Sequence, residues 1–275
     1  MVGDSAQSLI VLDVGLGRSV AGKSSKEVFS GGAILAVSPD GTHVKTILED
    51  ANLVSLPDGV VYNKHDGRLY YTNMGVPPLN DGSVCSVGLD GSAPRTVLAK
   101  SQVHTPKQLA LDAESGKLNG FIEETRPFLL DTEGTPKSGK GAIYCAPMTG
   151  TGLRVPTCVL DNLPEPIDVE VDDDSNTLFW TDRGEIPYGN TFNKLNLSGS
   201  GTAPATAKVD DITGLRYEIL AQHFDEAIGL AGDRKNGRWF VSDMGGNIWM
   251  FDKEGGQKTK ILEDQNRAFT GIALV

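Results

Sequence analysis

The chain has 275 residues, enough for one sizeable core, and its 33 glycines and 14 prolines suit many short strands joined by turns better than a helical bundle. A net charge of -11 disfavours nucleic acid as a partner, because phosphate contacts need clustered Lys and Arg. No run approaches the roughly 20 apolar residues of a membrane helix. The opening MVGDSAQSLI lacks a basic leader region, and Cys85, Cys145 and Cys158 are odd in number without metal-ligand spacing, so a soluble cytoplasmic protein with free thiols and no membrane partner is expected.

In chain order, SLIVLDVG reads as the second strand of a four-stranded unit, with GAILAVSPDG and HVKTILE as its third and fourth. The next unit, LPDGVVYNKHDGRLYYTNMG from Leu56, supplies first and second strands around a turn at Lys64–Gly67. GSVCSVGL and PRTVLA follow as third and fourth, joined by Asp90-Gly91, residues that reach positive φ at low cost. The third unit is irregular. TPKQLALDAESGKL should lead at once into an aromatic strand, but NGFIEETRP intervenes, and FLLDTEG fits the second-strand slot. KGAIYCAPMTG and LRVPTCVL then complete it. Two readings stay open: a long loop inside one blade, or the front of one blade joined to the back of the next. LPEPIDVEVDDDSNTLFWTDRG from Leu163 and DEAIGLAGDRKNGRWFVSDMG from Asp225 open the last two units. IPYGNTFN and GSGTAPATAKVDDITG read as exposed excursions.

The chain stops at FTGIALV, a first strand with nothing after it. The expectation is therefore an all-β, single-domain β-propeller over residues 1–275, with five countable four-stranded blades and the C-terminal strand completing the N-terminal blade. The repeat, about 45 to 60 residues, is blade-sized, and this closure hides two strand edges.

LYYTN, LFWTD and WFVSD resemble the YWTD motif of low-density-lipoprotein-receptor propellers, a six-bladed family. The resemblance implies that the Thr and Asp bond backbone within and between blades, and that the aromatics pack between sheets. The combination LPEPIDVEVD, LFWTDRG, PYGNT and the terminal FTGIA is similar to stand-alone fungal propellers. Some of those act as hetero-Diels–Alderases joining a tropolone quinone methide to a humulene-type terpene.

Aligning the first strands puts Asp58, Lys107, Glu165, Glu226 and Thr270 in equivalent places at one end of the propeller. His104 and His223 lie just before two of them. The starts of the second-to-third loops add Asn73, Met74, Glu133, Arg183 and Met244. Lys107, Arg183, His104 and His223 are candidate catalytic hydrogen-bond donors. Asp58, Asn73, Met74, Glu165, Glu226, Met244 and Thr270 are candidate substrate contacts around a small hydrophobic molecule. No zinc pattern, phosphate-cradling loop or nucleophile elbow occurs, so neither a metal nor an organic cofactor is expected. His43 and His65 read as turn surface, and Asp172-Asp173-Asp174 as a solvated hairpin. Three functions follow: a cofactor-free enzyme, most concretely a pericyclase; a metal-dependent lactonase drawing on Glu165, Glu226, Asp58 and Asn73; or a non-catalytic binding propeller.

Overall fold

The computed structural model describes residues 7–17, 24, 29, 31–76, 79–111, 118–123, 141–145, 157–172, 174–197 and 217–275. Their strands run, in order, β1 (Leu9–Asp13), β2 (Ala33–Val37), β3 (Val44–Leu48), β4 (Pro57–Asn63), β5 (Arg68–Asn73), β6 (Ser83–Gly88), β7 (Arg95–Leu98), β8 (Pro106–Leu111), β9 (Leu118–Glu123) and β10 (Gly141–Cys145). They continue with β11 (Thr157–Leu163), β12 (Pro166–Asp172), β13 (Thr177–Asp182), β14 (Thr191–Asn196), β15 (Glu218–Ala221), β16 (Ala227–Asp233), β17 (Arg238–Asp243), β18 (Asn247–Asp252), β19 (Thr259–Glu263) and β20 (Phe269–Leu274). The fold is an all-β propeller built from four-stranded antiparallel blades. Two compact units divide the chain: Met1–Thr125 with Ile228–Val275, and Arg126–Ala227.

In the first unit the expected closure is present. The blade order β20-β1-β2-β3 places the last strand against the first, with Leu9 opposite Leu274 and Val11 opposite Ile272. Ser8 and Val275 exchange both backbone hydrogen bonds, at 3.0 and 2.9 Å. Two further blades, β4–β7 and β16–β19, are complete. Each blade grades outward, because its second strand is apolar and buried while its last is polar. RLYYTN and RWFVSD are almost wholly covered, and VKTIL, RTVL and TKILE expose Lys, Arg and Thr, which blunts the sheet edge.

Adjoining blades meet backbone to backbone along their first strands. A Cβ on Gly229 would lie 2.5 Å from Thr270 O, one on Gly271 2.3 Å from Asp58 O, and one on Gly59 2.4 Å from Lys107 O. Only glycine allows that approach, so β16, β20, β4 and β8 lie side by side. Hydroxyls pin the same junctions, as the YWTD resemblance implies. Thr72 Oγ1 accepts from Gly59 N (2.8 Å) and donates to Lys107 O (2.7 Å). Ser242 Oγ does the same for Gly229 N and Thr270 O, and Thr270 Oγ1 donates to Pro57 O at 2.8 Å.

The second unit holds the blade β12–β15 and the pair β10-β11. TLFWTD of β13 is buried throughout, and Leu160, Leu163, Leu178, Trp180 and Leu195 form the local core. The irregular unit differs from expectation in one respect. LNGFIE pairs directly with β8 as β9, with Leu109 opposite Phe121, so the second strand does follow at once. FLLDTEG lies outside the described residues. Among the described residues, β8-β9 and β10-β11 are two separate two-stranded sheets.

Candidate functional site

The first strands begin at Pro57, Pro106, Pro166, Ala227 and Phe269. Proline fixes φ and lacks an N–H, which suits a strand's first residue. Counted from these starts, Asp58, Lys107 and Thr270 are true equivalents, whereas Ile167 and Ile228 fill the matching slots of the other two blades. Glu165 and Glu226 therefore stand two residues upstream of the expected slot, in the connection that enters the blade. Their equivalents are Leu56 and Ala268, and the hydrogen bonds say so: Met74 N to Leu56 O (3.0 Å), Val14 N to Ala268 O (2.9 Å) and Arg183 N to Glu165 O (2.9 Å).

In the first unit this slot is apolar. Val14, Leu56 and Ala268 are buried together, with Phe29, Met74 and Met244 packed against them. Both candidate methionines thus belong to one soft, adaptable patch. The polar candidates nearby are engaged by the framework. Asn73 accepts from Ser55 N at 2.9 Å and donates to Leu53 O (3.0 Å) and Ser83 Oγ (3.2 Å). Thr270 is 2% exposed and holds Pro57 O. Asp58 is buried, Lys107 half-buried, and exposed His104 meets Thr105 Oγ1 at 2.8 Å.

In the second unit the same slot is charged. Arg183, the residue after β13, is ion-paired through Nη2 to Glu165 Oε1, and its Nη1 stands 3.9 Å from Glu226 Oε2. Arg183 and Glu165 are partly covered, Glu226 is mostly exposed, and His223 is exposed at positive φ. One buried residue fastens the assembly. Asp182 Oδ1 accepts from Glu165 N and Gly184 N, both at 2.9 Å. Burial pushes its carboxyl up to about 7, with the neighbouring Glu165 charge adding to the rise and the two amide bonds opposing it. A guanidinium held between two carboxylates, with a near-neutral acid beneath, can offer N–H donors to an oxygen that gains negative charge. Asp182 was read from sequence only as a blade residue. The equivalent Asp13 and Asp243 are equally buried; Asp182 differs in its Oδ2, which has no hydrogen-bond partner among the described residues.

Glu133 lies outside the described residues. His43 and His65 are exposed turn residues. Asp172 accepts from Asp174 N (3.3 Å) and Ser175 Oγ (2.6 Å), as a turn residue does. Cys85 is a buried free thiol. Among the described residues, no three His, Cys, Asp or Glu gather to hold a metal ion, and no helix is long and apolar enough to cross a membrane.

Fold and closing strand together define a β-propeller. The chain belongs to the family of the Pyricularia oryzae low-density lipoprotein receptor-related protein 1, to which it is 32% identical over 317 residues, covering 97% of each chain. It is also 30% identical, over 316 residues, to the 3-hydroxyacyl-CoA dehydrogenase-like protein LAM1 of Cochliobolus heterostrophus, covering 97% of this chain but 64% of that protein. No protein-family model matches the chain. A crystal structure of a putative 6-phosphogluconolactonase from Bacteroides fragilis superposes with a TM-score of 0.52 at 11% identity, covering 100% of this chain and 99% of that one, a likeness of fold alone.

Proposed function

We propose that this propeller is an enzyme acting on a small hydrophobic molecule without metal or organic cofactor, its most concrete form a hetero-Diels–Alderase. The observation that carries the reading is Arg183, held in place by Glu165 and Glu226 at a blade entry that is apolar in the first unit's blades. A cycloaddition needs two reactants held in one productive geometry, where orientation alone can supply roughly 7–11 kcal/mol. A donor at the heterodiene oxygen lowers the barrier further, because negative charge grows there as the new bonds form. Arg183 is that donor in this reading. His223 is the secondary candidate in the same unit; Lys107, His104 and the Met74–Met244 patch are candidate contacts of the first unit.

The lactonase alternative asks Glu165 and Glu226 to bind a hard divalent cation, yet both face Arg183. The two readings are separated by incubating the protein with an ortho-quinone methide and a strained cyclic alkene. We expect one stereoisomer, formed faster than background, with turnover unchanged by a strong chelator. Arg183→Met should slow it about 100-fold, as loss of one oxyanion donor does elsewhere. A racemic product at the background rate would remove the pericyclase reading.

A further inference from the structure

The second strand of each complete blade ends in an acid or its amide: Asp13, Asn73, Asp182 and Asp243, all buried. In the first unit, protein groups hold both side-chain ends of each. Asp13 Oδ2 accepts from Arg267 at 2.8 Å, while its Oδ1 takes Gly15 N and Ala268 N. Asp243 Oδ2 accepts from Trp249 Nε1 at 2.8 Å, while its Oδ1 takes Asn247 N and Nδ2. Asn73 is satisfied as described above.

Asp182 breaks the pattern. Its Oδ1 holds two amides, but among the described residues its Oδ2 has no hydrogen-bond partner. Trp180 Nε1 and Asn193 Oδ1 are likewise buried and unpartnered. These groups share one sheet face. Trp180 and Asp182 are two apart on β13, and Asn193 of β14 sits directly opposite Trp180. Asn193 Nδ2 is tied to Thr191 Oγ1 at 2.8 Å, which leaves its oxygen for something else. Tyr217 packs its ring edge-on to Trp180 at 5.0 Å, and burial, with a smaller push from the Asp182 charge, raises its phenol. One donor and two acceptors in a dry place suit a guest that both gives and takes hydrogen bonds. Buried waters typically make about three such bonds.

We propose that this blade holds one ordered water molecule between Trp180 Nε1, Asp182 Oδ2 and Asn193 Oδ1, an internal hydration site beneath the Glu165–Arg183 pair. The water donates to Asn193 and accepts from the indole. It meets Asp182 as donor or acceptor according to whether the carboxyl is charged. The inference stands whether or not the protein is an enzyme. A crystal structure of the wild-type chain should show one solvent peak about 2.7–3.2 Å from all three atoms. Water-oxygen relaxation dispersion should count one fewer long-lived internal water in Trp180→Phe, which keeps the packing ring and deletes the donor. An empty map at this place, direct contact among the three groups, or equal water counts would overturn the proposal. If Trp180→Phe fails to fold, the wild-type map decides alone.

Discussion

Asp182 shows how one motif residue can serve different ends. Its carboxyl titrates near 7 in the folded protein, against an ordinary 3.8. The native state therefore binds this proton more tightly than the unfolded chain. The stability it contributes is complete at low pH and is lost as pH rises through its folded value. Asp182→Asn keeps the Oδ1 acceptor for Glu165 N and Gly184 N but cannot ionise. Urea unfolding should find the variant more stable than wild type at pH 8 by on the order of 1–3 kcal/mol. Below pH 4 the difference should vanish, and an unchanged pH profile would contradict the assignment. The strand LFWTD could be read in the sequence; that Asp182 Oδ2 has no hydrogen-bond partner among the described residues could not. That depends on what β14 and Tyr217 bring to the same face.

The blade elements rest on two junction devices, backbone approach at glycine and a hydroxyl staple, and each gives a prediction. Thr72→Val strands Gly59 N and Lys107 O in a buried place, so it should cost about 1–3 kcal/mol in chemical denaturation. Gly271→Val drives a side chain into Asp58 O, 2.3 Å from where its Cβ must sit, and overpacking of that kind costs about 1–3 kcal/mol. Strand boundaries followed period-2 alternation closely. The phase of the first strands did not. Two glutamates beside a proline or alanine looked like partners of Asp58, because a carboxylate was matched to a carboxylate. The strand start, set by Pro57, Pro106 and Pro166, shifts them by two residues out of register with Asp58, into a slot that is apolar in the first unit and ion-paired in the second. Only backbone hydrogen bonds such as Arg183 N to Glu165 O fix that phase.

At the scale of the whole chain, β20 joins the two ends of the sequence in one sheet. Arg267 adds a partly buried ion pair to Asp13, itself 0% exposed at the side chain. Arg267→Ala leaves a buried carboxylate short of its counter-charge and should cost about 3–5 kcal/mol in thermal or urea unfolding. Removal of Phe269–Val275 should abolish the cooperative transition altogether. The central claim, that Arg183 is the donor to a substrate oxygen, is tested most directly by a crystal structure with a stable cycloadduct bound. The account predicts the adduct's ring oxygen within hydrogen-bond reach of the Arg183 guanidinium, with Glu165 still paired to it. An adduct bound elsewhere, leaving Arg183 untouched, would contradict it.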